Sequence, residues 1–244
     1  MEFAGRTVLV TGASSGIGAA VARRFGELGA HVAVNSSRSV DEGRAVAEEV
    51  GGTYHRADVA DERQVLAMVD DIVAATGRLD VVVNNAGTTR VIPHADLAAV
   101  TDDVWRKILD VNLMGTWYVS RAAVPHLAST ADGSIVNITS VAGLHAIGSS
   151  IPYAVSKAAI NHLTVLMARS LGPGVRVNAV APGLVDTPWT EQWDQMRERV
   201  RSVAPMRRAS TPDDVAEAVL ALTRATMVTG EVLTVDGGHL QVRG

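Results

Sequence analysis

Cysteine is absent from all 244 residues, which excludes disulfides and thiolate metal sites. No apolar stretch approaches the ~20 residues of a membrane-spanning helix. Met1-Glu2-Phe3 leads straight into a strand-like run, without a basic or long apolar leader, so no secretory signal is expected. Basic excess is lacking too: 22 Lys and Arg face 26 Asp and Glu, a net charge of −4. That argues against nucleic acid as the main partner. The seven histidines show no paired ligand spacing, and no metal site is expected. There is no repeat, no low-complexity segment and no linker, so residues 1–244 read as one domain. What remains is a cytoplasmic globular protein, with 47% apolar residues to build a core.

Short apolar runs alternate with stretches of helical spacing. Strands are expected at Arg6–Thr11, His31–Asn35, Thr53–Asp58, Asp80–Asn84, Gly133–Ser140, Gly174–Ala181 and Glu231–Val235. Helices are expected at Ala19–Leu28, Val40–Val50, Asp61–Thr76, Thr101 to about Leu127, Pro152–Leu171, Pro188 to about Val203 and Pro212–Arg224. Near-continuous apolar strands are buried on both faces, which means a parallel sheet with helices on each side. The expected fold is α/β, a three-layer sandwich around about seven strands. Ligands in such sheets bind beyond the carboxyl ends of the strands, where strand order reverses.

Three stretches at those ends carry chemistry. In Gly12-Ala13-Ser14-Ser15-Gly16-Ile17-Gly18, between a strand and a helix, glycines let the backbone approach a pyrophosphate at a helix N-terminus. The spacing is Gly-x3-Gly-x-Gly rather than the commoner G-x-G-x-x-G. After the second strand the chain reads Asn35-Ser36-Ser37-Arg38, with no acid to hold an adenosine ribose. Hydroxyls and a guanidinium there suit a 2′-phosphate, so NADP(H) is expected over NAD(H). A solvated loop charge is the plainer reading of Arg38. Asp58-Val59 is placed to border the adenine, or Asp58 to cap the next helix. Finally, Tyr153 and Lys157 are four apart after Pro152 and share a helical face. An ammonium beside a phenol favours the phenolate and lowers its pKa, ordinarily about 10. A tyrosine so tuned can serve as acid or base on an alcohol or carbonyl.

Taken in order, Thr11-Gly12-x3-Gly16-x-Gly18, Asp58-Val59, Asn84-Asn85-Ala86-Gly87, Asn112, Ser140, Tyr153-x3-Lys157 and Pro182-Gly183 with Thr187 resemble the short-chain dehydrogenase/reductase family from about Arg6 to Gly238. The resemblance implies a doubly wound Rossmann-type sheet and hydride transfer between a nicotinamide cofactor and an alcohol or carbonyl. It implies Tyr153 as acid/base, with Lys157 lowering its pKa and holding the nicotinamide ribose. It implies Ser140 on the substrate oxygen and Asn112 anchoring a water that relays protons from Lys157. Asn85, Ala86 and Gly87 would lie along the cofactor, and Asn84 would brace the sheet. Pro182, Gly183, Val185 and Thr187 would bracket the nicotinamide.

Substrate contacts are expected from Val91–His94, Val141–Ser150 and Leu184–Val203. Leu144, His145, Ile147, Trp189, Trp193 and Met196 there suggest a small apolar or partly aromatic substrate. Many relatives of this kind reduce 3-oxoacyl chains on an acidic carrier protein, which remains the alternative. Ala128–Asp132 and Leu171–Gly174 hold no base for such a carrier. Arg197, Arg199, Arg201, Arg207 and Arg208 cluster, but with Glu191, Asp194 and Glu198 among them. A non-catalytic nucleotide-binding scaffold is a third reading, disfavoured because Asn112, Ser140, Tyr153 and Lys157 are all present. The resemblance also implies a homotetramer, or a dimer, paired through the Thr101–Leu127 and Pro152–Leu171 helices and the Glu231–Gly244 region.

Overall fold

A computed structural model describes residues 1–241. The last three residues of the expected Glu231–Gly244 contact therefore lie outside the described residues. The strands are β1 (Thr7–Val10), β2 (His31–Ser36), β3 (Thr53–Arg56), β4 (Val81–Asn84), β5 (Gly133–Ile138), β6 (Val175–Pro182) and β7 (Val232–Val235). They form one sheet in the order β3-β2-β1-β4-β5-β6-β7, with parallel pairing at every step. The helices are α1 (Gly16–Glu27), α2 (Val40–Glu49), α3 (Glu62–Thr76), α4 (Asp102–Leu109), α5 (Gly115–Leu127), α6 (Ile151–Leu171), α7 (Asp194–Val203) and α8 (Pro212–Arg224).

Alternation along each strand splits the core into two layers. Val8 and Val10 of β1, Val81 and Val83 of β4 and Val136 of β5 pack with Val21 and Phe25 of α1 and Val215, Val219 and Leu220 of α8. Leu9, Val82 and Ile135 point the other way, onto Val65, Val69 and Ile72 of α3, Val119 and Ala123 of α5 and Met167 of α6. On this second face a polar seam runs from β4 and β5 to α5 and α6. Asn84 Nδ2 donates to Asn137 Oδ1 and Ser120 Oγ, both at 2.9 Å, and Asn137 Nδ2 donates to Thr164 Oγ1 at 2.9 Å.

Two expected helices are not continuous. Thr101–Leu127 is broken by a π-helical turn, Asp110–Met114, between α4 and α5. Asn112 sits in that turn, and its main-chain oxygen accepts from Thr116 Oγ1 at 2.8 Å. Such single π turns inside helices concentrate at functional sites. The Pro188–Val203 stretch is a 3-10 turn at Pro188–Thr190 followed by α7. Thr190 Oγ1 donates to the Val185 carbonyl at 2.6 Å, which fastens the turn to the chain after β6 and prevents it running on as α-helix.

Strand order reverses between β1 and β4, so a crevice opens past their carboxyl ends. Thr11 holds its floor. Its buried Oγ1 accepts from the Asn85 and Ala86 main-chain N–H groups, each at 3.0 Å. Thr11→Val keeps the shape and strands both donors. It is expected to lower unfolding free energy by about 2 kcal/mol. Urea denaturation reads this, and an unchanged midpoint would remove Thr11 from the role.

Candidate active site

The crevice is a cleft of about 1470 Å³. At one end lies the loop between β1 and α1. Gly12 there has φ +62°, and a Cβ on it would come within 2.8 Å of Ala86 Cα. Only a glycine accepts both the left-handed backbone and that closeness. Ser15 precedes α1 without a side-chain cap on the first turn, leaving the N–H groups at that helix end free for an anion. Gly12, Ser14, Ser15, Gly16 and Ile17 line the cleft. Gly18 does not. A Cβ on it would meet Asn85 Nδ2 and the Gly12 oxygen at 2.5 Å, so it serves packing under the loop and not ligand contact. The uncapped helix end and glycine cradle fit a dinucleotide pyrophosphate.

Around that end, Ser37, Arg38, Asp58, Val59, Ala86 and Gly87 line the cleft as expected. Asn85 also borders it, but its Nδ2 donates to the Thr11 and Gly12 carbonyls at 2.9 Å and so holds the glycine loop in place. Asp58 Oδ1 accepts from the Ala60 N–H at 3.0 Å in a local turn, and the helix cap foreseen as its alternative falls instead to Asp61, which accepts from the Arg63 and Gln64 N–H groups. Ser36 touches the cleft, yet its hydroxyl is already spent. It donates to the Ser39 carbonyl at 2.8 Å and lies 2.9 Å from Tyr54 Oη. Pro182, Gly183, Val185 and Thr187, after β6, border the other side.

Ser140, Tyr153 and Lys157 converge in the middle of the cleft. Ser140 opens the turn after β5, its Oγ accepting from the Ala142 N–H at 3.1 Å. Ser150 caps α6, accepting from the Tyr153 N–H at 3.4 Å, and Pro152 occupies its first turn. Lys157 is 4% exposed, and its Nζ donates to the Ile138 carbonyl at 2.8 Å. That nitrogen is 5.7 Å from the centroid of the Tyr153 ring. Asn112 lies behind this group and off the cleft. Its Oδ1 accepts from the Thr88 N–H at 2.7 Å, while its Nδ2 donates to the Thr88 carbonyl at 3.1 Å and Ser156 Oγ at 3.0 Å. It ties the strand-four loop to the helix that carries tyrosine and lysine.

The electrostatics differ from the sequence expectation. Tyr153 keeps part of its surface open to the cleft, yet burial of its hydroxyl end pushes the phenol above its ordinary value, opposed only by Ser140. Burial lowers the Lys157 ammonium to about 8. The ammonium turns to the Ile138 carbonyl and does not pull the phenol down. Desolvation wins because the lysine is itself short of water and shares its charge with a carbonyl. The protein at rest thus holds a protonated phenol at neutral pH.

On the substrate side, His145, Trp189, Trp193, Ile147 and Met196 line the cleft, and Leu144 does not. Thr88 and Thr89, which sequence reasoning passed over, also line it, as do Ser149 and Gln192 from the expected loops. The Thr89 and Ser149 hydroxyls are 2.6 Å apart, and the Ile92 N–H donates to the Ser149 carbonyl at 2.8 Å. These bonds zip the two substrate loops together, a pairing with no local signature. His94 lies there with a buried, unpartnered Nε2. The arginine cluster is largely neutralised. Arg197 pairs with Asp186 and Asp194, Arg208 with Asp214 and Arg201 with Glu198. Among the described residues no three His, Asp or Glu side chains gather as a metal site, and no helix is long and apolar enough to cross a membrane.

A doubly wound parallel sheet with a glycine cradle and a Ser-Tyr-Lys group in one cleft defines a dinucleotide-dependent oxidoreductase. The profile described as enoyl-(acyl carrier protein) reductase matches residues 12–239. A candidate ketoacyl reductase 2 of the granaticin polyketide synthase from Streptomyces violaceoruber is 55% identical over 95% of each chain. The 3-oxoacyl-[acyl-carrier-protein] reductase FabG of Thermotoga maritima is 37% identical over 98% of this chain and 99% of its own. The solved structure of ElxO with NADP bound superposes with a TM-score of 0.89 at 32% identity, over 97% of this chain and 99% of that one. The chain belongs to the short-chain dehydrogenase/reductase family, and is an NAD(P)-dependent enzyme acting on CH–OH and C=O groups.

A lysine with a folded value of about 8 is charged below that pH and neutral above it. An unfolded lysine keeps its proton to about 10.4. Between those limits the unfolded chain binds more protons, so stability rises with pH there. Relative to Lys157→Met, the ligand-free protein is expected to gain stability as pH rises from about 8 toward about 10. Denaturant titrations at both pH values check this, and parallel curves for the two proteins would refute it.

Proposed function

We propose that this enzyme uses NADP(H) to reduce the keto group of a 3-oxoacyl-type substrate with an apolar or aromatic acyl portion. The observation that carries the reading is the convergence of Ser140, Tyr153 and Lys157 in the cleft that also holds the glycine cradle. The substrate class is supported by the ketoacyl reductase names of the relatives. The acyl portion is supported by Trp189, Trp193, Ile147 and Met196 along the wall.

Bound NADP(H) supplies the hydride for reduction. The chain's own residues manage the oxygen and its proton. Ser140 Oγ donates to the carbonyl oxygen and fixes its position. Tyr153 Oη, held protonated by burial, gives that oxygen its proton as the carbon becomes tetrahedral. Lys157 Nζ holds the ribose hydroxyls. It also stabilises the phenolate left after proton transfer, when a neighbouring cation is most favourable. Asn112 acts through Thr88 and Ser156, keeping the tyrosine helix in register with the strand-four loop. A smaller apolar ketone is the second reading, favoured by the same wall and by the sparse free charge around it.

Self-association is also proposed. Val155, Val165 and Leu166 stand 44%, 45% and 50% exposed on α6, which supports pairing through that helix.

Tyr153→Phe is expected to lower turnover by roughly two to four orders of magnitude with cofactor affinity little changed. Steady-state rates and a fluorescence titration of NADPH read the two effects separately. A variant with near-normal turnover would take Tyr153 out of proton transfer. Initial rates on 3-oxoacyl thioesters, simple ketones and secondary alcohols separate the substrate readings. Selective turnover of simple ketones would displace the oxoacyl class.

A further inference from the structure

We propose that Arg56, the last residue of β3, completes with Arg38 and Ser37 a two-guanidinium clamp for the adenosine 2′-phosphate, and so helps set the cofactor preference. This rests on the NADP(H) reading above.

Neither the glycine loop nor Ser36 brings a positive charge to that phosphate. Residues Gly12–Gly18 include no basic side chain. Ser36 is 5% exposed and its hydroxyl is committed to Ser39 and Tyr54. Arg38 alone would leave a dianion half neutralised. The parallel register between β2 and β3 sets Arg56 directly opposite Ser36, at the carboxyl edge of the sheet. Asn35 Nδ2 donates to the His55 and Ala57 carbonyls, both at 3.1 Å, and fastens the chain on either side of Arg56. Arg56 Nε then donates to the Ser37 carbonyl at 3.3 Å. That contact lays the guanidinium beside Ser37 and leaves its terminal nitrogens uncommitted.

A recess of about 440 Å³ results, lined by Ser37, Arg38, Arg56, Asp58 and Gln64. It opens off the main cleft, because Ser37, Arg38 and Asp58 line both. Of the lining groups, Gln64 Oε1 accepts from the Asp58 N–H at 3.0 Å and its Nε2 donates to Asp61 at 3.0 Å. The Asp58 carboxylate is turned to the Ala60 N–H. Neither Arg38 nor Arg56 is among the described ion pairs, whereas Arg23, Arg24, Arg78, Arg197 and Arg208 each have a carboxylate. Two exposed guanidinium groups without carboxylates, converging on a recess with a serine, match a phosphate better than they match each other. Like charges so placed repel until an anion lies between them.

Calorimetry on the full-length protein tests this with adenosine 2′,5′-bisphosphate and adenosine 5′-monophosphate, which differ only by the phosphate in question. The unmodified protein is expected to prefer the bisphosphate. Arg56→Gln is expected to cut that preference about tenfold, through the bisphosphate alone. Arg56→Lys keeps the charge but not the fork, and is expected to recover only part. The loss should shrink as salt is raised. If Arg56→Gln keeps the full preference while Arg38→Gln abolishes it, the clamp is wrong and the NADP(H) reading stands. If the unmodified protein binds both nucleotides alike, the cofactor reading itself fails, and the clamp with it.

Discussion

The cleft exists because polar main chain at the carboxyl ends of β1 and β4 is satisfied from within. Where strand order reverses, neighbouring strands part and their last N–H and C=O groups lose ladder partners. Thr11 supplies an acceptor to Asn85 and Ala86, and Asn85 returns donors to Thr11 and Gly12. This exchange locks the glycine loop to the loop after β4. It leaves the N-terminus of α1 open toward the gap, and the site is assembled around that opening.

The same economy governs the other wall. Asn112 would be a poor residue in a plain helix, where its side chain competes with the backbone. In the π turn it is fully buried and bonds Thr88 twice and Ser156 once. One amide thus joins α4 and α5, the strand-four loop and α6. Lys157 is aimed by a single acceptor, Ile138. Its burial is unfavourable, since a desolvated ammonium is costly. The lowered value of about 8 expresses that cost, and a bound anionic ligand or a phenolate beside it would offset it.

Much of this was legible in the residues. The alternation of apolar runs with helical spacing announced a parallel sheet, because strands covered on both faces must be apolar on both. Tyr153 and Lys157 were found from a spacing of four, and Gly12 and Gly16 from their place between strand and helix. Other features were hidden. The break at Asp110–Met114 contains no glycine or proline, and the bonds of Asn112 to Thr88, Thr116 and Ser156 that accompany it join distant or helical neighbours. Ser36 read as a ligand because a hydroxyl beside a guanidinium, with no acid near, suits a phosphate. Its hydroxyl is engaged by the Ser39 carbonyl and by Tyr54, which β3 brings alongside. Arg56 went unremarked because it is distant in sequence from Arg38 and adjacent only across a strand pair.

Local patterning by itself determined the α/β class, the parallel sheet and the tyrosine–lysine face, since periodicity and turn chemistry act over a few residues. Tertiary structure decided which polar groups remain available. A hydroxyl or amide is free for a ligand only if no neighbour has claimed it, and among those neighbours Tyr54 beside Ser36, Thr11 beside Asn85 and Asn85 beside Gly18 are distant in sequence. It also decided the direction of the Tyr153 and Lys157 shifts, because burial is a property of the packed chain, and desolvation acts on a group only once the sheet and helices have closed over it.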